Sequence, residues 1–139
     1  MQHRLRRALW DPEAGRNELR SYIVQHLGAA EAVLGLDETG FLKKGGHSAG
    51  VARQYRGTAG KVDNCQIGVL RGDASPLGHA LVDRERYLPA EWTDDRERCR
   101  QAGIPDERRC ATKPQLAPQM LARTLAAGVS ARWVTGDSV

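Results

Sequence analysis

Apolar residues recur at helical spacing near the start of the chain. Five of them lie three or four residues apart, on one face of a helix: Leu19, Tyr22, Ile23, His26 and Leu27. Asp11 followed by Pro12 predicts the start of this helix, because an acidic cap and a proline in the first turn suit a helix N-terminus. Gly28 follows the last apolar residue and predicts the end. The pattern therefore predicts an amphipathic helix with His26 packed among its neighbours.

A short apolar run further on has a different pattern. Residues 33–36 have apolar or small side chains and lead directly to Asp37. Such a run, bounded by turn residues, predicts a buried strand, and Asp37 is expected where this strand leaves the core. The segment WVTGD at 133–137 repeats the arrangement and ends in Asp137. A lone Asp at such a junction is commonly structural, but two acids that follow two strands suggest a shared metal site.

The pattern between these two segments predicts two more strands and two helices. Residues 65–70 and 79–83 are typical of an antiparallel hairpin. A short charged helix is expected between residues 93 and 103. A longer helix is predicted from the spacing of Leu116, Met120, Leu121 and Leu125. We expect it to begin near Gln115, so that Pro118 falls in its first turn.

This order of elements predicts an α/β fold with a mixed sheet. Three strands form an antiparallel meander, and the longer helix is a crossover that places the fourth strand parallel to the first. Asp37 and Asp137 would then leave neighbouring strands side by side, where two carboxylates repel unless cations lie between them. Carboxylate oxygens suit Mg²⁺ or Mn²⁺, and a pair of such ions can activate a water or 3′-hydroxyl against a phosphodiester.

Composition limits the classes of protein that remain. A chain of 139 residues is expected to form one domain, and its 27% of charged residues excludes a membrane span. The basic start lacks the apolar run of a secretory signal, which predicts an intracellular, cytoplasmic protein. Three cysteines without C-x-x-C spacing favour free thiols over a disulfide framework or a zinc site.

The net charge of +4 is unevenly distributed along the chain. A predicted connection at 40–63 contains six glycines. Between residues 37 and 61, five Lys or Arg residues accompany two acids, so this part of the chain is basic. Long connections are commonly functional, and a Gly-rich backbone can approach a phosphodiester whose charge Lys and Arg neutralise. The candidate DNA-binding residues are Lys43, Lys44, Arg53, Arg56 and Lys61. A flexible, soluble hairpin is the alternative interpretation of the same segment.

The segment 83–109 has a balanced charge. Its seven Arg residues accompany eight acids, which predicts a solvated surface. Asp83 and Glu85 lie at the end of the third predicted strand and are alternatives to Asp37 as ligands of any metal ion.

Nine short motifs extend over most of the chain. They are LDETGFLKKG at 36–45, RQY at 53–55, GTAGK at 57–61, GHALVDRE at 78–85, YLP at 87–89, WT at 92–93, AGIP at 102–105, ATKP at 111–114 and WVTGD at 133–137. Together they resemble the DDE-superfamily endonuclease domain of bacterial insertion-sequence transposases. The resemblance implies a ribonuclease H-like fold and Mg²⁺- or Mn²⁺-dependent cutting and joining of double-stranded DNA at transposon ends, in a nucleoid-associated protein. It would make Asp37 the first catalytic, metal-binding acid and Asp137 the second.

The sequence also departs from this family. The family has an acid where Ser138 stands and Arg where Pro118 stands, and it has a third acid, normally Glu, in a further C-terminal part. We therefore expect a truncated catalytic fragment that is inactive alone and incomplete at the C-terminus, and a homodimer is a candidate assembly of the full-length protein. Its expected parts are an N-terminal amphipathic helix, 1–28, and a partial ribonuclease H-like domain, 29–139.

Two other function classes fit parts of the pattern. A non-catalytic DNA-binding or assembly-interfering remnant would use only the Gly-rich basic segment. A sugar-kinase or actin-like nucleotide-binding domain also begins with a strand that ends in an acid followed by Gly. The sequence offers no second phosphate-binding loop for that last class.

Overall fold

The computed structural model describes residues 11–136. Its helices are α1 (Pro12–His26), α2 (Ala90–Thr93), α3 (Arg96–Gln101) and α4 (Lys113–Ala126). Its strands are β1 (Val33–Leu42), β2 (Ala52–Arg56), β3 (Lys61–Ser75), β4 (Gly78–Arg86) and β5 (Trp133–Gly136), with a 3₁₀ turn at Gly57–Ala59. Within this range, no helix has the length and apolar character needed to cross a membrane.

The strands form one open mixed sheet. Its order is β2-β3-β1-β5, and β4 also pairs with β3, on the edge that β2 occupies. Strands β1, β2 and β4 are antiparallel to β3, whereas β5 is parallel to β1. The predicted α/β fold, with α4 as the crossover to a last strand parallel to the first, is confirmed and is consistent with a ribonuclease H-like fold.

Strand β1 is longer than predicted, so Asp37 lies within the strand and not at its end. It pairs with β3 over its whole length, from Val33 to Leu42. Gly40, the first residue of the predicted connection 40–63, permits a close approach within the strand instead. The Cγ of Arg56 lies 2.6 Å from the position that a Cβ of residue 40 would occupy. Glycine inside a strand often marks such a contact with a neighbouring chain segment.

The segment 40–63 is not the long connection that its glycines suggested. It contains the end of β1, all of β2 and the start of β3. Strand β2 pairs with β3 from Ala52–Cys65 to Arg56–Lys61, and Gly60, with φ of 63°, closes this hairpin after the 3₁₀ turn. The glycines therefore shape the junctions between paired strands.

Helix α1 is confirmed, and Ile23 and Leu27 of the predicted stripe pack on the sheet, but the packed face is shifted around the helix from the predicted one. Leu19 and Tyr22 of the predicted stripe are 55% and 58% exposed, and His26 is also exposed, with its ring beside that of Tyr22. The buried residues are Arg20 and Ile23. An arginine stem can cover apolar surface while its guanidinium is paired, which a pattern of apolar residues does not reveal.

Helix α4 begins at Lys113, two residues before the predicted start. The side chain of Gln115 accepts a hydrogen bond from the N–H of Thr112 at 2.8 Å and so fixes this N-terminus. Pro118 consequently lies in the second turn and not in the first. The buried side of the helix nevertheless continues past it to Met120.

Helices α1 and α4 pack on the same face of the sheet. One apolar cluster joins α1 to β1 and β4, and its buried members are Ile23, Leu34, Val82 and Val129. Another joins α4 to β3 through Val69, Leu116 and Met120. A third surrounds Trp92 of α2, whose indole N–H donates to the carbonyl of Val51 at 2.8 Å.

A bulge in β4 buries two consecutive residues. Arg71 of β3 pairs with Asp83, whereas the next residue, Gly72, pairs with Leu81. Val82 is therefore the extra residue of the bulge, and both Val82 and Asp83 are buried instead of alternating between the two faces.

The buried carboxylate of Asp83 joins both helices to the sheet. Arg16 and Arg20 of α1 each place a guanidinium nitrogen 3.5 Å from Oδ1. Arg123 of α4 donates to Oδ2 at 2.6 Å and also to Glu85 at 2.7 Å. This part of the segment 83–109 is thus an ion-pair network and not the solvated surface that was predicted.

Asp73 is a second buried carboxylate, on β3. The residue is 2% exposed, and among the described residues neither carboxylate oxygen has a hydrogen-bond partner. Burial raises the pKa of Asp73 above its ordinary value. Its ionised form therefore destabilises the folded state at neutral pH.

Replacing Asp83 with Asn should destabilise the fold, because three arginines would lose the buried charge they surround. We expect the free energy of unfolding to fall by about 3 kcal/mol, as when one partner of a buried ion pair is removed. Urea unfolding at pH 7 measures the change. The exposed Asp94→Asn is the control, with an expected change within about 0.5 kcal/mol. Equal stability of Asp83→Asn and wild type would contradict a structural role for the network.

Replacing Asp73 with Asn should stabilise the fold at neutral pH, by about 1 kcal/mol, since a neutral amide is less costly to bury. A raised folded-state pKa means that wild-type stability declines as pH rises from the unfolded pKa through the folded one. The advantage of Asp73→Asn should therefore shrink as pH falls towards the unfolded value. Urea unfolding at several pH values tests this, and a pH-independent difference would be inconsistent with it.

Candidate functional site

Asp37 lies in the interior of the sheet's first strand and is nevertheless exposed. Its strand is paired with β3 on one side, where Asp37 faces Leu70, and with β5 on the other. The N–H of Glu38 donates to Oδ1 of Asp37 at 2.7 Å. Within the described residues, no cationic side chain lies within 4.0 Å of this carboxylate. Asp37 is therefore an available carboxylate on a rigid element.

The face on which Asp37 lies follows from strand alternation. Leu34 and Leu36, on either side of residue 35, pack in the clusters beneath α1 and α4. Glu38 lies on the same face and forms an ion pair with Lys113 at the start of α4. Asp37 consequently projects from the opposite face, together with Phe41, which is 48% exposed.

The second predicted acid, Asp137, lies outside the described residues. The described part of β5 ends at Gly136, which pairs with Leu36 of β1. In sequence, each acid comes directly after one member of this pair. The structure thus brings the two strands together in parallel register up to the residue before each acid.

The donor chemistry at Asp37 fits one ligand of a divalent cation. Carboxylate oxygens are the donors that Mg²⁺ and Mn²⁺ prefer. Within residues 11–136, no group of three or more His, Cys, Asp or Glu side chains is arranged to hold a metal ion. Among these residues, Asp37 therefore stands as a single oxygen ligand.

A cleft of about 1050 Å³ adjoins this stretch of β1. Residues 36–40 form one wall, and Tyr55, Arg56, Tyr87 and Lys113 contribute to the others. The sequence interpretation assigned no role to Tyr55, Tyr87 or Lys113. Each of these three falls in one of the short motifs, which is the signal that could have identified them.

The rival acids Asp83 and Glu85 are held by arginines. Asp83 has no exposed side-chain surface, and Glu85 is bonded to both Arg123 and Arg108. Burial alone would raise the pKa of Glu85, but the hydrogen bond from Arg123 and the charge of Arg108 lower it below its ordinary value. Both carboxylates therefore serve the ion-pair network on the helix-covered side of the sheet.

The five predicted DNA-binding residues differ in their surroundings. Arg56 donates to Oδ2 of Asp63 at 3.2 Å, and the ammonium of Lys61 lies 3.5 Å from the other oxygen. For the other three, no acid of the described residues lies within 4.0 Å of the cationic group: Lys43, Lys44 and Arg53. The uncompensated charge is thus concentrated at the end of β1 and on β2.

Comparison with known proteins adds a family to this geometry. The family model described as DDE superfamily endonuclease matches residues 1–139. The probable transposase for insertion sequence element IS701 of Microchaete diplosiphon is 35% identical over 144 residues, covering all of this chain but 34% of that protein. The chain thus spans about a third of the length of this curated relative. No solved structure gives a significant match. The match over its whole length shows that this chain belongs to the DDE superfamily of endonucleases.

Proposed function

We propose that this chain forms the first part of a transposase catalytic site for metal-dependent cleavage and transfer of DNA strands. One observation carries the proposal: Asp37 is exposed on β1, and β5 lies beside β1 in a parallel register that reaches Gly136. Asp137 is the next residue in sequence. We propose that it continues this register and stands beside Asp37.

Two such carboxylates would share a divalent cation, because their repulsion is relieved when a cation binds between them. Endonucleases of this superfamily generally use divalent metals, and the oxygen donors favour Mg²⁺ or Mn²⁺. When bound, such ions activate a water or 3′-hydroxyl and stabilise the leaving oxygen of a phosphodiester. Asp37 would hold its ligand position firmly, since its strand is paired on both sides.

The cleft that adjoins β1 has acidic and basic side chains in its walls. The ion pair with Lys113 compensates the charge of Glu38, so that this acid does not add to the repulsion of a phosphate. Arg56 and Lys113 bring positive charge to the walls of the adjoining cleft. Both cations lie on the helix-covered side of the sheet, whereas the carboxylate of Asp37 projects from the other side, so a phosphate in the cleft would meet the cations and not the candidate metal ligand.

We also propose that DNA contacts the surface formed by Lys43, Lys44, Arg53, Arg56 and Lys61. The curated relative is described as a transposase for an insertion sequence element, which makes double-stranded DNA the expected substrate. Because Asp63 pairs with Arg56 and Lys61, the remaining three residues would contribute most of the attraction to phosphate.

The isolated chain is proposed to bind metal and DNA without cutting DNA. It covers 34% of its curated relative, so the complete activity is a property we assign to the longer protein. The division into 1–28 and 29–139 and the possible homodimer of the longer protein stay predictions.

A second candidate is a DNA-binding module without catalysis. The uncompensated cations Lys43, Lys44 and Arg53 favour it, because they need no metal to attract phosphate. Duplex DNA binding, measured by fluorescence anisotropy with Mg²⁺ and with EDTA, separates the two. A catalytic site predicts tighter binding in Mg²⁺, and Asp37→Asn should remove that increment. An affinity for duplex DNA that changes neither with Mg²⁺ nor with Asp37→Asn would favour the non-catalytic DNA-binding module.

Asp37→Asn should abolish the binding of Mn²⁺, because an amide oxygen lacks the charge that attracts the ion. Isothermal titration calorimetry should show weak binding by wild type and none by the variant. The exposed Asp94→Asn loses the same charge elsewhere and should bind like wild type. Since Asp37 is exposed, the variant should unfold at the same urea concentration as wild type. Equal Mn²⁺ binding by wild type and Asp37→Asn would defeat the proposed site.

A further inference from the structure

Two adjoining clefts lie along the outer edge of β4, between α1, α4 and the chain after α3. Their volumes are about 450 and 530 Å³, and they share Arg86, Leu88 and Arg108 in their walls. We call them together the arginine groove, after the seven arginines that line them: Arg16, Arg20, Arg84, Arg86, Arg108, Arg109 and Arg123.

The groove has an excess of positive charge, although the buried carboxylate of Asp83 pairs with three of its arginines, Arg16, Arg20 and Arg123. Three glutamates, Glu13, Glu85 and Glu107, accompany the seven arginines in its walls. Two of these carboxylates are already bound, Glu13 by Arg16 and Glu85 by both Arg108 and Arg123. The balanced count of acids and arginines in the segment 83–109 does not reveal this excess, because most of its acids lie outside the groove.

Several guanidinium groups of the groove have no anionic partner. For Arg84, Arg86 and Arg109, no carboxylate of the described residues lies within 4.0 Å. All three are exposed. The Nε of Arg16 is buried and lacks a hydrogen-bond partner within the same part of the chain. Burial and the nearby charge of Arg84 lower the pKa of Arg16, which is the mark of crowded like charges.

The lining of the groove suits a polyanion better than a protein surface. Its large apolar residues, Leu88, Ile104 and Leu116, are at most 6% exposed and offer no anchor for an apolar side chain of a partner. Guanidinium groups bind phosphate oxygens with two parallel hydrogen bonds. A chain of phosphates could occupy successive arginines along the strand edge.

We propose that the arginine groove binds the sugar–phosphate backbone of duplex DNA, at a surface separate from Lys43, Lys44 and Arg53. The choice of DNA as the polyanion rests on the proposed function. The groove and the metal site involve different residues, so each can fail without the other.

The salt dependence of DNA binding tests the groove. In EDTA, the Arg84→Gln/Arg86→Gln variant should lose about 1.8 units of the slope of log K against log salt, since each phosphate contact contributes about 0.9. Both side chains are exposed, so folding should be unaffected. Arg84→Lys/Arg86→Lys keeps the charge and should keep the slope. Lys43→Gln/Lys44→Gln removes the same charge from the other basic surface.

The position of the DNA can be read from Cys110. This thiol is exposed and lines the groove, whereas Cys65 and Cys99 are buried. Duplex DNA should slow its alkylation by iodoacetamide several-fold in wild type and in Lys43→Gln/Lys44→Gln. The protection should be lost in Arg84→Gln/Arg86→Gln. Protection that is lost in Lys43→Gln/Lys44→Gln but kept in Arg84→Gln/Arg86→Gln would overturn the proposal.

The remaining outcomes separate the groove from the proposed function. An unchanged salt slope in Arg84→Gln/Arg86→Gln, with no protection of Cys110 in wild type, would overturn the groove and leave the metal site standing. Failure of wild type to bind duplex DNA at low salt would overturn the groove and the DNA-binding part of the proposed function together. Protection of Cys110 by polyglutamate but not by DNA would overturn DNA as the ligand.

Discussion

The burial of one carboxylate constrains much of this structure. The bulge at Val82 turns Asp83 to the side of the sheet that the helices cover, where no water can stabilise its charge. Arg16 and Arg20 from α1 and Arg123 from α4 approach it instead. A buried charge left without partners is far more costly than a surface one, so both helices are held in fixed positions over β4. The regular alternation of an unbulged strand would place this acid on the other face.

Acids of the same type therefore have different roles in this chain, set by their surroundings. Asp83 and Glu85 are surrounded by guanidinium groups, whereas Asp37 is exposed and, within residues 11–136, accepts a hydrogen bond from the backbone N–H of Glu38 alone. The first two act on stability through their ion pairs. The carboxylate of Asp37 remains available, which is the chemical requirement for the metal role proposed for it.

The order of the four predicted strands and the parallel pairing of β1 with β5 could be predicted because strands commonly contain short apolar runs, visible at 33–36 and 133–134, although β5 is exposed in the structure. The strands within the segment 40–63 could not be predicted, because glycine occurs equally well at a turn and at a close contact. Gly40 allows the close approach of Arg56. The contribution of Arg20 to the buried face of α1 was missed for a related reason. Arg20 packs there through a tertiary ion pair that local periodicity does not encode.

The candidate site was predicted in part. The pattern identified Asp37 as an acid that reaches solvent from a rigid strand, but placed it at the end of that strand and not in its middle. The longer strand changes the physical argument. Asp37 pairs with Leu70 of β3, and the pairing of β1 with β5 reaches the preceding residue, Leu36, so the backbone at Asp37 is fixed and only its side-chain torsions remain free. Little conformational entropy would then be lost when a ligand is bound, which favours a site built on β1 over one built on the connections around it.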